Sequence, residues 1–182
     1  MIKKVVDILK GGKGSGNFGH SGRPGERGGS GDGWSDKPEG EKNEIRAEMR
    51  SDARAVVSNL TDTIHEIDGA LSTNYSEGYS FSPSQMDMLT DRRNFTDAAR
   101  ELKEIGLKVT PKLRSLLNRA ARESKVAAKY HERVQRFTSE DANWSRKASE
   151  SMWAKAKSHY GKSKDLTRMA RLEIHNMIGT LK

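Results

Sequence analysis

The chain of 182 residues contains no cysteine, which excludes disulfide frameworks and thiolate metal sites. That fits a reducing compartment. Aromatic residues make up 6% and hydrophobic residues 33%, against roughly 45–50% apolar in ordinary globular chains when glycine is counted. A core built from so little must be thin, lying in the seams between helices. Only four prolines occur. No apolar run approaches the ~20 residues that cross a bilayer, so no membrane partner is expected. Residues 1–10 open like a signal peptide, with Lys3 and Lys4 ahead of Val5, Val6, Ile8 and Leu9. Asp7 and Lys10 interrupt the apolar stretch, and no small-residue cleavage site follows. A short amphipathic segment without export is expected there.

Charge is abundant, at 32% of residues with a net +8, and it is unevenly spread. Residues 1–40 carry +2, 41–110 carry −4, 111–137 carry +6 and 138–182 carry +4. An acidic front can pair with a basic back, or the basic half can face an acidic partner.

Glycine is concentrated in one place. Residues 10–33, KGGKGSGNFGHSGRPGERGGSGDG, hold 11 of the 17 glycines. Gly14 to Gly19 satisfies G-x-G-x-x-G, but glycine, proline and arginine follow where a dinucleotide or kinase fold needs a helix or further motifs. Glycine also recurs at every third position from Gly16 to Gly31, yet one proline in six triplets cannot pre-order a collagen helix. Arg23 and Arg27 supply too little charge for a Gly/Arg nucleic-acid tract. With almost no apolar surface to offset ordering, residues 11–40 are expected as a flexible segment.

Beyond residue 40 the periodicity is helical throughout. Ile45, Met49, Ala53, Val56, Val57, Leu60, Ile64, Ile67 and Leu71 step by threes and fours from a start near Glu44. Ser82-Pro83 opens a second helix carrying Met88, Phe95, Ala98, Ala99, Leu102 and Ile105, and Gly106 is placed to cap it. Thr110-Pro111 opens a third, with Leu113, Leu116, Leu117, Ala120, Ala127, Val134 and Phe137 inward. Ser139 starts a fourth, holding Trp144, Ala148, Met152 and Ala156, which Gly161 ends. Leu166, Met169, Ala170, Ile174, Met177, Ile178 and Leu181 form a fifth. The expectation is an all-α bundle or hairpin array of about five helices over residues 41–182.

Few residues advertise chemistry. His20, His65, His131, His159 and His175 are scattered without H-E-x-x-H or paired carboxylate spacing, so surface or helix-edge positions are expected, with no metal and no cofactor. No G-x-S-x-G or other nucleophile context occurs. Trp144 and Trp153, nine residues apart, point about 180° from each other on a helix, one toward the core and one out. The third helix is the strongest electrostatic feature, with Lys112, Arg114, Arg119, Arg122, Lys125, Lys129, Arg133 and Arg136. It is either a solvated face or a surface for an acidic partner. Arg119, Arg122, Lys125 and Arg133 are the candidate phosphate contacts, and without a base-reading cluster such contact is sequence-independent.

As a string, GSGNFGHSGRPGERGGSG (14–31) resembles a Gly-rich signature, G-S-G-N-F-G-H-x-G-R-P-G-x-x-G-G-S, of tailed-bacteriophage and prophage proteins. There it stands beside head-morphogenesis and other virion-associated domains. In those proteins the signature usually follows the domain; here it precedes the helices. SKDLTRMARLEIHNMIGTL (163–181) is similar to the A-R-T-E-x-x-x-A helix of Mu F-type minor head proteins, with Leu172 in place of the Thr and Met177 near the small residue. Some relatives carry ADP-ribosyltransferase domains, whose strands and R…STS…ExE arrangement have no counterpart here, and no catalytic residue carries over. The resemblance implies a non-enzymatic virion or head-assembly protein acting by protein–protein contact, present in the host cytoplasm during assembly and then in the particle. Its partners would be head or portal proteins, and Gly14, Asn17, Phe18, His20, Arg23, Pro24 and Arg27 become a candidate partner-binding peptide. Two other classes remain: a sequence-independent nucleic-acid-binding protein, and a small phage effector that inhibits a host protein.

Overall fold

The computed structural model describes residue 34 and residues 37–72, 93–140 and 146–181. The amphipathic segment 1–10, the Gly-rich tract, the Ser82-Pro83 helix start, Met88 and Trp144 lie outside the described residues. So does the Phe137 side chain. The chain is all-α, with α1 at Glu39–Ser72, α2 at Arg93–Glu104, α3 at Pro111–Glu140 and α4 at Arg146–Gly179.

α1 starts five residues ahead of Glu44, inside the stretch read as flexible. The Pro38 carbonyl accepts the Lys42 N–H at 3.1 Å, which closes the first turn. Proline needs no N–H bond there, and Glu39 and Glu41 set negative charge against the helix N-terminus. Arg46 donates to the Glu39 carboxylate at 2.8 Å, and this hydrogen bond holds the Glu39 pKa below its ordinary value. Half-buried Trp34 packs on the main core with the Arg46 guanidinium 5.5 Å from its ring. Trp34 therefore belongs to the packed body.

Gly106 caps α2 as its position predicts. Its φ is 92°, in the left-handed region, its N–H reaches the Lys103 carbonyl at 3.1 Å, and the Leu107 N–H reaches Leu102 at 2.9 Å. That is a Schellman closure, and the apolar contact that accompanies it is made by Leu107 and Leu102, both buried in one cluster. Thr110 caps α3, its Oγ1 accepting the Leu113 N–H at 3.0 Å.

The described residues hold four helices, because Gly161 does not end one. Residues 146–179 run as a single helix of 34 residues, about 51 Å at 1.5 Å per residue. A mid-helix glycine costs about 1 kcal/mol relative to Ala; the neighbouring Tyr160 and Ser163 are fully buried, and packing outweighs that cost. Nor does Ser139 start a helix, since it lies in the last turn of α3.

α4 runs antiparallel to both long neighbours. It meets α3 through Lys112–Glu173, Ala120–Ser163 and His131–Tyr160, and α1 through Arg50–Leu181 and Asp68–Lys164. α2 packs against α1 and α3, closing a four-helix ring at one end of the bundle. The main cluster fills that end with Ile45 to Leu60, Phe95 to Leu107, Leu113 to Ala121 and Leu166 to Ile178. A smaller cluster fills the three-helix end with Ile67, Ala70, Ala127, Val134, Trp153, Ala156 and Tyr160.

Candidate functional site

The outward face of α3 carries the site residues named from sequence. Buried Leu113, Leu116, Leu117, Ala120, Ala121, Ser124, Ala127, Ala128, His131 and Val134 occupy one side of the helix. At about 100° per residue they fill an arc of about 140°. The opposite arc is exposed and holds Lys112, Arg114, Arg119, Arg122, Lys125, Lys129 and Arg133, with Glu132 the one acid among them. Lys112 is bound to Glu173 at 2.7 Å. Among the described residues, the other six cationic side chains make no ion pair.

Arg119 and Arg122 are brought together with Arg114. They line one open groove of about 400 Å³ beside Val109, Pro111, Ser115 and Asn118. Lys125 and Arg133 lie outside it, one turn and about three turns further along the same face. Arg114 was legible only as part of the basic run; its place in the groove follows from the 114, 118, 122 spacing of four. The groove can take an anionic group, since guanidinium forks hydrogen-bond phosphate or carboxylate oxygens in pairs.

The remaining chemistry is internal. His131 is fully buried, against the expectation of a surface or helix-edge histidine. It follows Ala127 and precedes Val134 at core spacing, a signal that its polarity hid. Its Nδ1 and the Tyr160 hydroxyl are 3.1 Å apart, with the direction of the bond set by the imidazole tautomer. The Trp153 ring lies tilted against it at 4.9 Å. Burial pushes the His131 pKa down to about 4, so the ring is neutral near neutral pH. Sealed from solvent, it ties α3 to α4.

Trp153 is buried, as one of the two tryptophans should be. His159 sits at the edge of the same seam, its Nδ1 2.6 Å from Glu123 and its ring stacked on Tyr130 at 5.8 Å. His65 and His175 are exposed. Among the described residues, no group of three or more His, Asp or Glu side chains is placed to hold a metal ion. No described helix is long and apolar enough to cross a membrane. The candidate peptide Gly14, Asn17, Phe18, His20, Arg23, Pro24 and Arg27 lies outside the described residues.

No protein-family model, curated protein or solved structure matches the chain.

Proposed function

We propose that the chain is a non-enzymatic structural protein of a tailed-bacteriophage particle, working by protein–protein contact in the virion or during head assembly. The observation that carries this reading is the Gly-rich string at 14–31, with its fixed Asn17, Phe18, His20, Arg23 and Pro24, joined to a helical body. The uses to which the body puts its polar side chains support it. Buried Ser163 donates to the Ala120 carbonyl at 2.9 Å, Thr167 to the Ser163 carbonyl at 2.7 Å, and Lys164 pairs with Asp68. The Thr167 bond stays within α4, whereas Ser163–Ala120, Lys164–Asp68 and His131–Tyr160 fasten helix to helix, the work of a scaffold. Deleting the gene from the phage or prophage that encodes it should give defective heads or incomplete particles by electron microscopy. Normal yields of normal, infectious particles would count against an assembly role.

A further inference from the structure

We propose that the outward face of α3 binds the phosphate backbone of a double-stranded nucleic acid, independently of sequence. Such binding follows from the charge and composition of this face, whether or not the chain belongs to a phage particle. Arg114, Arg119, Arg122, Lys125, Lys129 and Arg133 are exposed on one helix. None of the six makes an ion pair within the described residues, whereas Arg46, Arg100, Lys112 and Lys164 of the same bundle are all paired. From Arg114 to Arg133 is nineteen residues, about 28 Å of helix at 1.5 Å each. A phosphate chain rising about 3.4 Å per nucleotide offers some eight charges over that length. The groove among Arg114, Ser115, Asn118, Arg119 and Arg122 adds a concave seat at one end of the line.

Three features favour a duplex over other anionic partners. Among the described side chains of α3, Tyr130 is the one aromatic near this face, and it is half-buried, stacked on His159 and covered by Lys155. A single strand needs exposed rings on which bases stack. Among the described side chains, Val126 is the only large apolar residue exposed there, at 37%, too little to enter a lipid interface or form the apolar centre of a protein contact. The charge is also drawn out in a line, which suits a regular polyanion.

The test is fluorescence anisotropy of the full chain with two 20-base-pair duplexes of unrelated sequence, over a salt series. The wild-type chain should bind both alike, with log affinity falling against log salt by about 0.9 for each phosphate neutralised. The variant R119Q/R122Q/K125Q/R133Q should lose tenfold or more in affinity and flatten the salt slope by up to about 3.6 units, helix content unchanged. A control, R54Q/K103Q/K108Q/K162Q, removes equal charge from exposed positions outside α3, and should change affinity less than threefold. Absence of binding at 50 mM salt, equal loss in both variants, strong preference for one duplex, or equal binding to polyglutamate would each overturn the proposal.

Discussion

Tyr160 on α4 and His131 on α3 meet at 3.1 Å inside the three-helix end of the bundle, both fully buried. The pair makes the folded state sensitive to acid. Burial lowers the His131 pKa from its ordinary 6.5 to about 4, so between these values the unfolded chain binds a proton that the folded chain refuses. Stability is therefore intact above pH 6.5 and is lost progressively as pH falls toward 4. The loss is on the order of 3 kcal/mol at about 1.4 kcal/mol per unit. Denaturant melts between pH 7 and pH 4 should show this slope, and H131L should flatten it. An unchanged slope in that variant would assign the acid sensitivity elsewhere.

Gly161→Ala should stabilise the protein. The glycine sits inside α4 with helical geometry, and a Cβ added there meets nothing within 4 Å. The gain should be about 0.5–1 kcal/mol, a Tm rise of about 2–4 °C. A fall in Tm would mean that the helix is broken or bent at this position.

Gly106→Ala should do the opposite. With φ at 92° the residue occupies the left-handed region, where a Cβ is strained. A loss of about 1–2 kcal/mol is expected, and thermal melts of the two alanine variants measured side by side should shift in opposite directions.

The start of the body can be placed by truncation. A chain beginning at residue 34 keeps Trp34 on the core and the Glu39–Arg46 contact, whereas one beginning at residue 41 loses both along with the Pro38 closure. The shorter chain should be less stable by about 1–3 kcal/mol in circular-dichroism melts. Equal melting of the two would show that residues 34–40 contribute nothing.

Sequence periodicity reads well where the core is apolar and poorly where it is small and polar. Ile45, Met49, Ala53, Val56, Leu60, Ile64 and Ile67 are all buried as their spacing predicts, and so are Leu113, Leu116, Leu117, Ala120, Ala127 and Val134. The seam of α4 instead runs through Ser149, Trp153, Ala156, Tyr160, Ser163, Thr167, Ala170 and Ile174. Its hydroxyls at Ser163 and Thr167 bond to backbone carbonyls, so they pass inside a core without cost to hydrogen bonding. Following apolar residues alone shifts the pattern by one. Ala148 is exposed where the pattern has it inward, and Met169 is 50% exposed. Gly161 itself, a poor helix former, suggests a break where the helix continues. His131 escaped for the same reason, a polar residue filling a core position.

The cationic run was visible in the sequence, but the removal of Glu123 from its face was not. Glu123 and Glu132 are interspersed with the arginines in the sequence, and only the fold shows that Glu123 turns to His159. It leaves Arg119 and Arg122 facing outward beside Arg114.

The functional account is tested most directly by quantitative mass spectrometry of purified particles from the phage or prophage that encodes the chain. It predicts peptides of the helical body at a fixed copy number per particle, unchanged through repeated density-gradient purification. Complete absence from pure, infectious particles, with the protein abundant in the lysate, would contradict it and favour an effector directed at the host.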